Sequence, residues 1–143
     1  MISGGKASWV FDHASDYAIV IDKESHESMT FTDVPDTAYY AEAVNWAVAK
    51  KITGGVGNKL FGPNDPCTRA QIVTFLYRFK NNPAVYGSLN FSDVNKTEHA
   101  AFYNAILWAV NNKITTGYGN GIFDPNGTCN RGDAVTFLYR ALA

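Results

Sequence analysis

Residues 44–78 and 106–140 of this chain are near-copies. At an offset of 62 they agree at twenty of 35 positions. The shared residues include Trp46-Ala47-Val48 with Trp108-Ala109-Val110, and Lys51-Ile52-Thr53 with Lys113-Ile114-Thr115. Both copies close on Val-Thr-Phe-Leu-Tyr-Arg, at 73–78 and 135–140. Further upstream the offset becomes 60, and Phe31-Thr32-Asp33-Val34 aligns with Phe91-Ser92-Asp93-Val94. A duplication of this period means one supersecondary unit used twice. A unit of roughly 50 residues has little core of its own, so the two must bury apolar surface against each other.

Each copy reads as helix, loop, helix. In the first, Tyr40, Val44, Ala47 and Val48 share a helical face, and Phe102, Ile106, Ala109 and Val110 match them in the second. Asp36 or Thr37, and Thr97, are the expected N-caps. Gly54-Gly55 and Thr116-Gly117 are the expected stops of the first helix. A loop rich in Gly, Asn and Pro follows, at 54–67 and 116–129, with Phe61 and Phe123 to pin it to the core. The second helix opens on a capping-box pattern, Thr68-Arg69-Ala70-Gln71, or on the weaker Asn130-Arg131-Gly132-Asp133. Ile72, Phe75, Leu76 and Phe79 then share a face, as do Val135, Leu138 and Leu142, with Phe137 at the margin.

Residues 1–30 lie outside the repeat. Segments 9–11 and 17–21 read as strands, followed by a polar linker at 22–30. They form either a small hairpin or, the favoured reading, the end of an upstream β-domain, because two strands alone are rarely stable. The expected organisation is 1–30 as β-segment and linker, 31–82 as repeat one, 83–90 as linker and 91–143 as repeat two.

The chain of 143 residues is 46% hydrophobic with a formal net charge of −1, which excludes wholesale disorder and binding by phosphate neutralisation. Its longest apolar run, 105–110, is far short of the roughly 18 residues that span a membrane. The first six residues carry no secretory apolar stretch, so the expectation is either a cytosolic protein or an exported parent whose signal lies upstream.

Taken together, Phe-x-Asp-Val, a Trp-bearing helix, the Gly/Asn/Phe/Pro loop and a Thr-Arg-Ala-Gln helix start resemble the S-layer homology domain. The resemblance covers both repeats. It implies a mainly helical fold of two repeats around a shared core, part of a spindle with pseudo-threefold symmetry. It also implies a module on the bacterial cell surface that binds secondary cell-wall polysaccharide non-covalently in grooves between repeats, often through a pyruvylated sugar. Two repeats are visible rather than the family's usual three. The family's Ile-Thr-Arg-Ala-Glu is Cys67-Thr68-Arg69-Ala70-Gln71 in one copy and Cys129-Asn130-Arg131-Gly132-Asp133 in the other. Self-association would supply a missing third repeat in trans.

Arg69 and Arg131 are the first candidates for ligand contact. A guanidinium pairs bidentately with a carboxylate, and each sits in the first turn of a helix, where the dipole favours an anion. The competing reading is that each Arg pairs with Asp33 or Asp93 and holds the fold. Asp33 and Asp93 are either turn-forming carboxylates or acceptors for sugar hydroxyls. Thr68, Gln71, Gly55, Gly117, Trp46 and Trp108 complete the candidate ligand-binding set, the tryptophans being either core or stacking platforms. Arg78 and Arg140 are expected to complement the dipoles of their own helices. Cys67 and Cys129 read as two small core thiols, with a disulfide open if their Cα atoms lie within ~7 Å.

Catalysis is the weakest class. None of the three His lies in a recognisable triad, and no Gly-x-Ser-x-Gly or His-Glu-x-x-His occurs. Calcium binding of the dockerin kind needs several loop carboxylates, whereas loop 54–67 has Asp65 alone and loop 116–129 has Asp124 alone. No cofactor or metal is implied. The two surviving classes are a wall-polysaccharide anchor and an assembly module of degenerate repeats.

Overall fold

A computed structural model describes residues 31–143. The strand reading of 9–11 and 17–21 falls outside the described residues. The rest is mainly helical, in the expected order: α1 (Ala41–Ala49), α2 (Arg69–Phe79), α3 (Tyr103–Asn111) and α4 (Arg131–Leu142). Helices α1 and α2 belong to the first repeat, α3 and α4 to the second.

Helix starts and stops repeat between the copies, because the same local chemistry repeats. Helix α2 opens on a complete capping box. The Thr68 hydroxyl accepts from the Gln71 backbone N–H at 3.2 Å, and the Gln71 amide oxygen accepts from the Thr68 N–H at 2.8 Å. Asn130 caps α4 by accepting from the Asp133 N–H at 2.8 Å. The expected caps of the first helices are not used. Tyr40 and Phe102 occupy those positions without a side-chain cap. Ahead of α3 the turn is held instead by Asn95, whose side-chain oxygen accepts from the Thr97 and Glu98 N–H groups.

The first helices also stop earlier than expected. Lys51 and Lys113 take left-handed φ values of 59° and 58°. Each N–H bonds back to Val48 or Val110, and the next N–H, of Ile52 or Ile114, reaches Ala47 or Ala109. That is a Schellman ending with Lys in the place usually held by Gly. The loop glycines act later. Gly55 and Gly117 have φ of 82° and 71°, and a Cβ there would lie 2.5 Å from the Leu60 carbonyl oxygen or 2.6 Å from that of Ile122. Phe31 or Phe91 presses on the same spot at 2.7 or 2.6 Å, so only Gly fits where the loop crosses its own turn.

The core forms where α2 packs against α3 and α4. Ala70, Val73 and Leu76 meet Ala105, Ile106, Ala109, Ile114, Phe123 and Phe137. The buried stripe of α2 is therefore 70, 73 and 76. The expected stripe 72, 75, 76 and 79 is rotated off it: Ile72 and Phe75 are half-buried and Phe79 is exposed. In α4, Phe137 is buried while Val135, Leu138 and Leu142 are exposed. Val73 is 0% exposed and its copy Val135 is 60% exposed. Trp46 is 42% exposed and its copy Trp108 is 6% exposed. The duplicated faces are the same; what differs is that α2 and α3 have a neighbouring repeat against them among the described residues.

Candidate functional site

The Phe-x-Asp-Val segments are braces for the loops. Asp33 accepts from the Phe61 and Gly62 backbone N–H groups, both at 2.8 Å. Asp93 accepts from those of Phe123 and Asp124 at 3.0 and 2.7 Å. The rings preceding them follow the same plan, with Phe31 5.5 Å from Phe61 and Phe91 5.6 Å from Phe123. The backbone donor from Phe61, joined by that of Gly62, holds the Asp33 carboxyl below its ordinary pKa, against an opposing effect of desolvation. Both carboxylates thus meet backbone rather than either Arg.

Arg69 is turned into the seam between repeats and is 2% exposed. Its Nε donates to the Phe123 carbonyl at 2.8 Å, and Nη1 donates to Asp133 at 2.8 Å. Its guanidinium carbon stands 4.4, 5.0 and 5.4 Å from the ring centres of Tyr118, Phe123 and Phe137. The partner is Asp133, which corrects the expected pairing with Asp33 or Asp93. Arg131, its copy, is exposed and has no side-chain partner among the described residues. Identical residues at equivalent positions thus have opposite surroundings.

Arg78 and Arg140 stand in the last turns of their helices, where their charge complements the dipole as expected. Each also donates from Nη1 to the carbonyl of the residue just past the preceding helix of its repeat, Ile52 or Ile114, both at 3.1 Å. The half-buried Arg78 leaves most of its five N–H donors for other partners.

Two clefts lie beside these residues. The larger, about 340 Å³, runs between loop 54–67, α2 and the approach to α3. Its polar lining comes from Thr53, Gln71, Thr74, Arg78 and the carboxylate Asp65, with Cys67 at its side, and Phe61, Phe75 and Phe102 are its aromatic walls. It gathers Gly55 and Gln71 from the expected set. A smaller cleft of about 290 Å³ is lined by Lys80, Trp108, Asn112 and Arg140 among others. Both volumes lie at the low end of the ~300–1,000 Å³ typical of ligand sites. Trp108 packs 5.7 Å from Tyr77 and is mostly core, whereas Trp46 is half-open and lies 6.3 Å from Phe79. Thr68 is committed to its capping box, and Gly117 to its turn. Arg131, Trp46, Asp33 and Asp93 line neither cleft.

Cys67 is exposed and is not a core thiol, whereas Cys129 is half-buried and packs against the core; both are free. The sequence places Asp133 only in a helix-start pattern, gives Arg78 only a dipole role and assigns nothing to Tyr118. Arg78 and Arg140 carried a usable signal, since both copies keep Arg at that position. Tyr118 carried none, having Val56 as its counterpart.

The family model of the S-layer homology domain matches residues 30–73 and again 90–135. The chain belongs to the S-layer homology domain family. These S-layer homology repeats are 39% identical over 121 residues to a cell surface protein of Thermoanaerobacter kivui, covering 78% of this chain and 15% of that protein. Over 113 residues they are 29% identical to the S-layer protein sap of Bacillus anthracis, covering 78% of this chain and 13% of that protein. Identity to a cellulosome-anchoring protein of Acetivibrio thermocellus is 25% over 119 residues, 82% of this chain and 27% of that protein. The chain therefore spans less than a third of each of these relatives. Among the described residues no helix is long and apolar enough to cross a membrane. Nor do they hold a group of three or more His, Cys, Asp or Glu able to bind a metal.

Proposed function

We propose that this chain is a non-catalytic module that anchors a bacterial polypeptide at the cell surface by binding secondary cell-wall polysaccharide. The observation that carries the reading is the pair of S-layer homology repeats, found in relatives named as surface-layer and anchoring proteins. The larger cleft is our candidate for the sugar. Its aromatic walls suit the apolar face of a pyranose ring, and Gln71 and Thr53 suit its hydroxyls. Arg78, in the cleft, is the cation we assign to an acidic substituent such as a pyruvyl carboxylate, and Arg131, open to solvent outside the cleft, is a second cation for a further part of the polymer. Arg69 serves this reading by holding the seam rather than by touching ligand, because it is buried and its Nε and Nη1 are engaged across the seam.

Co-sedimentation with bacterial wall sacculi tests this, before and after mild acid removal of the secondary polymer. Wild-type protein is expected to pellet with intact sacculi and to stay in solution with stripped ones. Arg131→Ala and Arg78→Met, each checked for an unchanged circular dichroism spectrum, are expected to weaken pelleting. Equal pelleting of both variants would overturn the placement of the site, and no pelleting of wild type would overturn the anchor reading.

A second reading, an assembly module, is favoured by one observation. The apolar side of α4, with Val135 and Leu138, is open where its copy in α2, Val73 and Leu76, is covered by the next repeat. A second copy presenting α1, with its half-open Trp46, would cover it head to tail. Sedimentation equilibrium decides: a monomer at high micromolar concentration removes this reading.

A further inference from the structure

The two cysteines face each other across the seam between repeats. Residues 67–69 and 127–129 run antiparallel, with Thr68 and Thr128 forming a bridge. The Cys129 N–H donates to the Cys67 carbonyl, and the Arg69 N–H donates to the Gly127 carbonyl, both at 2.9 Å. This pattern makes Thr68 and Thr128 the non-hydrogen-bonded pair of the ladder, so the next facing pair is Cys67 with Cys129. Facing residues of an antiparallel pair project from the same side. Facing residues at such a position of a ladder have Cα atoms about 5.5 Å apart, within the ~4.4–6.8 Å that a disulfide spans.

We propose that Cys67 and Cys129 are a latent redox pair that closes as an intramolecular disulfide and locks the first repeat to the second. These are the chain's only cysteines, so neither has a competing partner within the molecule. Cys67 is exposed and open to attack on a small disulfide, while Cys129 is half-buried beside it. Facing Cβ atoms in a ladder stand roughly 4.5–5.5 Å apart, against the ~3.5–4.5 Å of a disulfide. Closure therefore draws the two segments together by about 1 Å. The bonds already crossing here, including that from the Ala70 N–H to the Pro125 carbonyl, hold the two segments in this register while they close. The inference rests on this register alone and is independent of the glycan reading.

The oxidant is a low-molecular-mass disulfide such as oxidised glutathione. The Cys67 thiolate attacks one glutathione sulfur, forming a mixed disulfide and expelling a glutathione thiolate, which takes up the proton Cys67 released. The Cys129 thiolate then attacks the Cys67 sulfur of that mixed disulfide and expels the second glutathione. Two protein thiols are oxidised by two electrons, and one glutathione disulfide is reduced to two thiols. Burial pushes both thiols above their ordinary pKa, with Asp133 adding to the effect at Cys129. Exchange is therefore slow at neutral pH and speeds up as pH rises.

The test uses the full chain, reduced and then equilibrated with oxidised glutathione. Titratable thiols are expected to fall from two per chain to none. The monomer mass should fall by about 2 Da as two hydrogens leave, and tryptic mapping should join the Cys67 and Cys129 peptides. The Tm should rise by on the order of 10 °C and return on adding dithiothreitol, since the bond closes a long loop. Cys67→Ser should stop at a glutathione adduct on Cys129 and show no such rise. Thiols that stay titratable, products that are only glutathione adducts or disulfide-linked dimers, or the same Tm rise in Cys67→Ser would each overturn the proposal.

Discussion

Changing Arg69 to Ala should destabilise the protein far more than changing Arg131 to Ala, although the two residues are copies. The guanidinium of Arg69 is buried, and its removal leaves the Phe123 carbonyl without its side-chain donor inside the core. An unmet buried acceptor costs about 1–3 kcal/mol. Asp133 loses its ion pair at the same time. That carboxylate is about one-third open, so solvent screens part of the loss and the full ~3–5 kcal/mol of a broken buried pair does not apply. The void against Tyr118, Phe123 and Phe137 adds the loss of packing and cation–π attraction, at least about 0.5–1 kcal/mol. A total near 3 kcal/mol follows, a large share of the ~5–15 kcal/mol that holds a typical domain together. Arg131→Ala removes an exposed side chain and should stay within about 0.5 kcal/mol of wild type. Equilibrium urea unfolding of both variants measures the difference. A loss below about 1 kcal/mol for Arg69→Ala, or equal losses for the two variants, would refute the reasoning that burial at the seam, rather than residue identity, sets the role.

Gly55→Ala and Gly117→Ala should each cost about 2 kcal/mol or more, since a Cβ there meets backbone oxygen that cannot swing away. Gly57→Ala, with φ of 101° but open space around it, should show only the smaller backbone penalty of about 1 kcal/mol. Thermal melts of the three variants check the order. Asp33 has a folded pKa depressed by its backbone donors, so its contribution is complete above its unfolded value, about 3.9. It is lost as pH falls from there through the folded value. Asp33→Asn should remove that part of the acid dependence of the urea midpoint. An unchanged acid profile would show that the brace does not depend on the charge.

Local chemistry was legible without the structure wherever one segment decides it. The duplication itself, the helix–loop–helix plan, the Thr68–Gln71 capping box, the Asn130 cap and the anchoring of the loops by Phe61 and Phe123 all depend on residues close in sequence or repeated in register. Reading failed where the choice depended on backbone already committed elsewhere. The helices stop at Lys51 and Lys113 before the glycines are reached, because the last turn finds its carbonyl partners first. Thr97 gives its N–H to Asn95 in a turn ahead of α3, and the helix itself begins after Phe102 without a side-chain cap. The stripe of α2 centres on Val73 rather than Phe75, because α3 and α4 approach from that side.

The candidate site shows the same division. The sequence determined that Arg and Asp recur at fixed places, and their chemistry limited what each could bind. Only tertiary structure decided that Asp33 and Asp93 brace loops, that Arg69 joins Asp133 sixty-four residues away, and that Cys67 faces Cys129. It also decided which copy of each duplicated face is covered. Arg69 and Arg131, Val73 and Val135, or Trp46 and Trp108 are the same residues in the same local frame, and nothing within one repeat tells them apart. Burial is a property of a residue and its neighbour together, so two near-copies of a helix differ as soon as one has a partner packed against it and the other does not.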